Sequence, residues 1–197
     1  MDGVELARAY TKQLEMVRLP GAAPLQRPHV PSGYVLRQYR EADRDSYLDM
    51  FQQVFDEPCA LGFWARYVLD EGFFVVEEES SGRIVASCMA TWDPGDGRSL
   101  EGHLNWLAAL SEHRGLGLGL AAAAAVTDRL ESEGCPRMWL MTDDHRLSAI
   151  GIYLRLGWRP HIFSDHMALR WGSVLRRLRG PGACAGKMKG ERVRHRT

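Results

Sequence analysis

The chain has 197 residues, 45% of them hydrophobic and 25% charged, and its 25 Lys and Arg balance its 25 Asp and Glu. That composition suits one folded domain with a substantial core, and it excludes collagen-like, low-complexity and strongly charged disordered chains. No run approaches the roughly twenty apolar residues of a membrane span, and the polar opening Met1-Asp2-Gly3-Val4-Glu5 is not that of a signal peptide.

Residues 4–17 place Val4, Leu6, Ala7, Tyr10, Leu14 and Val17 at spacings that predict a helix, and Pro20 to Pro31 is a Pro-rich connector. Tyr34 to Tyr39 alternates like an opening strand, and Arg40-Glu41-Ala42-Asp43 begins a helix running to about Phe55. Pro58 breaks that helix; Leu61 to Leu69, with Phe63, Trp64, Tyr67 and Val68, predicts a second. Phe73 to Glu78 and Arg83 to Thr91 read as strands joined by the hairpin signal Ser80-Ser81-Gly82. A turn over Asp93 to Arg98 leads to a fourth strand, Leu100 to Ala109. By period-two alternation Glu101, His103 and Asn105 share one face of that strand, and Leu104, Trp106 and Ala108 the other. Three polar side chains in a row on one face suggest a polar cleft.

The fourth strand runs directly into Leu-Ser-Glu-His-Arg-Gly-Leu-Gly-Leu-Gly-Leu (Leu110 to Leu120) and then the block Ala121 to Ala125, which has the highest intrinsic helix propensity. The order is strand, Gly-rich turn, helix N-terminus. Glycines admit close backbone approach, and the helix dipole adds partial positive charge, so this turn suits a pyrophosphate. The spacing of Gly115, Gly117 and Gly119 is neither the dinucleotide fingerprint nor the P-loop. Downstream, Arg137 to Thr142 predicts a buried strand, and Asp143 to Arg146 a polar break with capping character. Ala149, Ile150, Ile152, Tyr153 and Leu156 then recur at helical spacing until Gly157. A last strand is expected near His161 to Arg170. From Gly172 onward eight Lys and Arg face one acid, Glu191, so the tail is +7 and the rest of the chain −7. A basic tail can touch nucleic acid, but it has no aromatic residues to stack bases. The four cysteines (Cys59, Cys88, Cys135, Cys184) lack C-x-x-C spacing and His partners, so free thiols in a cytoplasmic protein without a metal are expected.

Two of these motifs carry a family resemblance. Arg114-x-x-Gly117-x-Gly119 resembles the acyl-CoA pyrophosphate loop of the GCN5-related N-acetyltransferases (GNAT). Ala149-Ile150-x-Ile152-Tyr153-x-x-Leu156-Gly157-Trp158 is similar to the signature that follows the fifth strand in that family. The resemblance covers roughly residues 34–171. It implies an α/β GNAT (acyl-CoA N-acyltransferase) fold, with a mixed, mostly antiparallel sheet splayed between the fourth and fifth strands and flanked by helices. Residues 1–33 would then be a helical extension and connector, and 172–197 a short helix with a basic tail.

The resemblance further implies acetyl-CoA as cosubstrate, with no metal. Leu107, Ala108 and Ala109 would pair with the pantetheine arm, and the amides of Gly115, Leu116, Gly117, Leu118, Gly119 and Leu120 would cradle the diphosphate. Arg114 would open the loop, and Arg146 would stand where the family normally has Asn against the cofactor arm. Tyr153 matches the family's Tyr near the thioester sulfur and would protonate it. His103 sits where related enzymes carry a Glu base, and a neutral imidazole is competent near physiological pH. Glu101, Asp143 or a water chain are alternatives. Phe63, Trp64 and Tyr67 either line an acceptor pocket or are core; Glu77 to Glu79 either attract a cation or end a hairpin. The implied activity is acetyl transfer to a small-molecule or peptide N-terminal amine. A non-catalytic acyl-CoA-binding sensor is the alternative, and a tail-driven nucleic-acid binder a third. Homodimers are common in the family.

Overall fold

The structure, a computed structural model, describes residues 13–19, 28–55, 58–92 and 101–180. Its strands are β1 (Leu14–Arg18), β2 (Tyr34–Gln38), β3 (Val68–Glu78), β4 (Ile84–Trp92), β5 (Gly102–Ala109), β6 (Met138–Thr142) and β7 (Arg159–Pro160). Its α-helices are α1 (Arg44–Phe55), α2 (Leu61–Trp64), α3 (Leu118–Ser132), α4 (Leu147–Arg155) and α5 (Asp165–Arg179). The strands form one sheet in the order β2-β3-β4-β5-β6-β1-β7. Every pairing is antiparallel except β5 with β6, as expected of a mixed sheet whose central crossover passes through a helix. Apolar residues of the alanine-rich α3, among them Ala122, Ala123 and Val126, pack across β3, β4 and β5. Small side chains let that helix lie close to the sheet.

The pair β5–β6 sets up the site. Only Gly102↔Met138 and His103↔Trp139 are in register, after which the strands part and leave Leu104–Ala109 without a β6 partner. The expected splay is therefore present; a strand ahead of it makes the splayed pair fifth and sixth in chain order. On its other side, β5 pairs with β4 through a bulge: Ser87 faces Ala108 and Met89 faces Asn105, so one β4 residue opposes two on β5. Trp106 occupies this bulge at φ 54, a left-handed conformation uncommon for a large side chain. Asn105, Trp106 and Leu107 are in consequence all half-buried in succession, a pattern that simple alternation does not produce.

Three sequence expectations are corrected. Leu14–Arg18 is a strand, where a helix was expected over residues 4–17; the remainder of that helix falls on residues 4–12, outside the described residues. It pairs along its whole length with β6, from Leu14↔Thr142 to Arg18↔Met138, and pairing with an open sheet edge outweighs local helix preference. The helix expected over Leu61 to Leu69 stops at Trp64, because Val68 is recruited by Thr91 across the sheet. The strand expected near His161 to Arg170 is mostly helix α5. Ser164 caps it, its hydroxyl accepting from the Met167 amide at 3.3 Å, and Met167, Trp171 and Val174 are its buried face. Only Arg159–Pro160 is strand, and the proline has no N–H with which to extend the ladder. Most of the Pro-rich connector, the Asp93 to Arg98 turn and the basic tail beyond Gly180 lie outside the described residues.

One buried cation ties these parts together. Arg18 is 1% exposed; its Nε and Nη2 donate to Glu131 at the end of α3, at 3.0 and 2.7 Å, and its Nη1 donates to Leu156 O at 2.7 Å. Gly157 follows at φ 80, and a Cβ there would lie 2.3 Å from Arg18 Nη1. The glycine that ends α4 is thus required by both its backbone and its neighbour.

Candidate active site

Where β5 leaves β6, a cleft of about 650 Å³ opens between the end of β5, the start of α3 and one face of α4. Its floor is the β5 terminus, Leu107, Ala108 and Ala109. Its wall is the glycine turn, formed by Arg114, Gly115, Gly117, Leu118, Gly119 and Leu120. Arg146 lines the mouth. Of the eleven residues expected to hold the cofactor, only Leu116 lies off the cleft, at 43% exposed.

The turn leaves its donors open. Ala121 is the first residue of α3 whose amide is bonded, to Gly117 O at 3.0 Å; among the described residues the amides of Gly115 and of Gly117 to Leu120 have no backbone acceptor. These are the orphan N–H groups of a helix start, and α3 is 15 residues long, so its dipole is fully developed there. Gly115 and Gly117 sit at φ 83 and 82, and a Cβ at either would meet nothing within 4 Å, because both face open space. Around them stand His113, Arg114, His145, Arg146 and Arg155, and no carboxylate lines the cleft. Three of these are arginines, in a chain whose first 171 residues sum to −7.

Residues that sequence reasoning missed come mainly from α4 and α1. Ser148, Ala149, Ile152 and Arg155 form one face of α4, a signal present in their i, i+3 and i+4 spacing. His113 is buried, with its Nδ1 2.9 Å from the Tyr34 hydroxyl. Phe55 contributes from α1, and the Arg146 guanidinium lies 5.5 Å above its ring centroid.

Neither of the two residues singled out for proton transfer is among those that line the cleft. Tyr153 is 5% exposed on the inner side of α4, within electrostatic reach of Cys88 and Arg146; burial pushes its phenol well above the ordinary value and keeps it protonated. His103 does not line the cleft. It is 4% exposed at the paired end of the β5–β6 junction, its ring 3.5 Å from that of Trp139 in an edge-on contact, and its Nε2 has no partner. Burial, with Arg137 nearby, pushes its pKa down to about 3. Of the alternatives, Glu101 pairs with Arg137 at 3.2 Å, and Asp143 pairs with Arg146 at 3.0 Å. Asn105 donates to Thr91 Oγ1 at 2.7 Å. Phe63, Trp64 and Tyr67 form a contiguous aromatic group that reaches Trp106 and, through it, Phe55. Glu77 is held by Arg37, and Glu78 ends the β3 hairpin. No group of three His, Cys, Asp or Glu that could hold a metal occurs among the described residues. No helix among them is long and apolar enough to cross a membrane.

Comparison with known proteins bears on the fold and the family. A mycothiol acetyltransferase of Salinispora tropica is 27% identical over 173 residues, which is 81% of this chain and 56% of that protein. The chain thus spans about half the length of the curated relatives it first matches. Among solved structures, a GCN5-related N-acetyltransferase from Sphaerobacter thermophilus superposes with a TM-score of 0.63 at 20% identity, over 76% of this chain and 48% of that one. A ribosomal-protein alanine N-acetyltransferase from Escherichia coli has the same fold, with a TM-score of 0.53 at 20% identity, over 66% of this chain and 79% of that one. The family model described as the acetyltransferase (GNAT) family matches residues 36–158, more than half of the chain, and the protein belongs to that family.

Proposed function

We propose that the protein moves an acetyl group from acetyl-CoA to an amine by direct transfer, and that residues 34–171, completed by β1, carry this activity. The observation that supports it most is the set of unbonded amides of Gly115 and of Gly117 to Leu120 at the foot of α3, in a cleft lined by three arginines, two histidines and no carboxylate. A diphosphate fits such a place because it is an anion that needs several donors at once. An arm laid along Leu107, Ala108 and Ala109 would find the β5 main chain that β6 leaves unpaired.

Acetyl-CoA supplies an acetyl group on a sulfur that departs as a thiolate. In the transfer a C–N bond forms and the C–S bond breaks; the amine loses a proton and the sulfur gains one. Tyr153, buried on α4 and kept protonated there, is the residue to which the family resemblance gives the protonation of the departing sulfur. His103 is not assigned the amine's proton, because an imidazole held near pKa 3 away from the cleft is a very weak base; water in the cleft takes it. Arg114 and Arg146 steady the anionic end of the donor.

The acceptor proposed is an amine on a small molecule or a peptide N-terminus. The setting proposed is cytoplasmic, in line with four cysteines that lack C-x-x-C spacing in the sequence.

The test is acetyl-CoA with a panel of small amines and peptides, read by mass spectrometry for an acetyl increment. Turnover is expected on at least one, with kcat reduced about 10²- to 10⁴-fold in Tyr153→Phe. Tight acetyl-CoA binding with no turnover on any amine would favour a sensor and overturn the proposal.

A further inference from the structure

Segments on both sides of the family match converge on one loop of the cleft. Asp143–Arg146 joins β6 to α4 and contributes His145 and Arg146 to the lining. From α5, which lies beyond residue 158, the Arg170 guanidinium donates to both oxygens of the Asp144 carboxylate, through Nε at 3.2 Å and more closely through Nη2. Arg177 Nη1 donates to Asp144 O at 3.2 Å. From ahead of β1, Gln13 Nε2 donates to Asp143 Oδ1 at 3.4 Å, while Asp143 Oδ2 takes Arg146 Nε at 3.0 Å. Arg146 is therefore gripped between Asp143 and the Phe55 ring while its side chain stays 42% exposed toward the cleft mouth.

A forked two-bond contact fixes orientation as well as distance. Arg170 is largely shielded, at 16% side-chain exposure, so its hold on Asp144 is screened less than a surface pair would be. An arginine free to sample its rotamers must be ordered when an anion binds, and that ordering weakens binding; one already ordered avoids the loss.

We infer that Arg170 is a positioning residue for the acyl-CoA cleft: by clamping Asp144 it holds the Asp143–Arg146 loop so that Arg146 is ready to meet the anionic part of the donor. This rests on the acyl-CoA reading of the cleft. It makes α5, a helix outside the family match, part of the donor-binding apparatus.

The test is calorimetry and steady-state kinetics with acetyl-CoA on the full chain, Arg170→Ala, Arg146→Ala and the double variant. Arg170→Ala is expected to raise Kd and the KM for acetyl-CoA by about 3- to 10-fold, with kcat and the acceptor KM unchanged. In the Arg146→Ala background the same substitution is expected to change Kd by less than about twofold, because its effect passes through Arg146. Asp144→Asn, which keeps the side-chain volume, is expected to behave like Arg170→Ala and stands in for it should that variant not fold. Wild-type affinity in Arg170→Ala and Asp144→Asn, or a full loss that persists without Arg146, would overturn the inference. Failure of the unsubstituted chain to bind acetyl-CoA would overturn the acyl-CoA reading, and this inference with it.

Discussion

Gly117→Ala separates the ligand-binding role of the glycine turn from its backbone cost. Gly117 caps α3 at φ 82 and ψ 2, in the left-handed region, which costs an L-residue about 1–2 kcal/mol. A Cβ there would touch nothing within 4 Å, so no steric cost is added to the conformational one. Gly82, in the β3–β4 hairpin far along the chain from the cleft, is the matched control: φ 70, and again nothing within 4 Å. The two alanine variants should therefore lose the same stability, about 1–2 kcal/mol, or about 2–8 °C in Tm for a chain of this size. Only Gly117→Ala places a methyl group in the space where the diphosphate is proposed to sit. Displacing the anion from even one amide forfeits a hydrogen bond to a charged acceptor, about 1.5–3 kcal/mol, or roughly 10- to 100-fold in Kd. Calorimetric titration with acetyl-CoA beside thermal unfolding reads both quantities. Equal loss of stability with equal, near wild-type affinity in both variants would refute the placement of the ligand on this turn.

Three further outcomes follow from the buried His103 and Arg18. His103→Phe is expected to keep kcat/KM within about threefold above pH 7, against the 10²- to 10⁴-fold loss of a general base. With a folded pKa of about 3 against about 6.5 when unfolded, His103 takes up a proton on unfolding between those values. Wild-type stability should thus fall as pH drops below about 6.5, by up to about 1.4 kcal/mol per unit from this group, and urea midpoints of His103→Phe should fall less steeply; parallel slopes would contradict it. Gly157→Ala, at φ 80, shares the backbone strain of Gly82→Ala but also drives Arg18 Nη1 from Leu156 O, so it should cost at least about 2 kcal/mol more. Urea unfolding of the pair checks this, and equal midpoints would count against the Arg18 clasp.

What could be read from residues alone was local. The turn from Leu110 to Leu120 and helix α3 follow from glycine freedom and alanine propensity, quantities that neighbours in sequence determine. Ten of the eleven residues that the family resemblance gave to the cofactor line the cleft. β1 was missed because Leu14, Met16 and Val17 suit either a helix or a strand, and the decision was made by an edge of β6 more than a hundred residues away. The period-two face of β5 was right as far as Asn105, but the bulge at Trp106 breaks the count beyond it. His103 looked like a base because nothing in its own segment announces Trp139, the side chain that covers it. The Arg170–Asp144 contact was equally illegible: its partners lie 26 residues apart, on elements whose approach only the folded chain defines.

The central claim is that the amides from Gly115 to Leu120 receive the diphosphate of an acyl-CoA. At 22.2 kDa the chain suits a two-dimensional ¹⁵N–¹H NMR titration with acetyl-CoA, in which each of those amides is a separate signal. The expected result is a saturable one-to-one shift of the Gly115, Gly117, Gly119 and Leu120 amides toward hydrogen-bonded values, with Gly82 unmoved. Saturation of the protein with those signals unchanged, or no shift anywhere at millimolar acetyl-CoA, would contradict it.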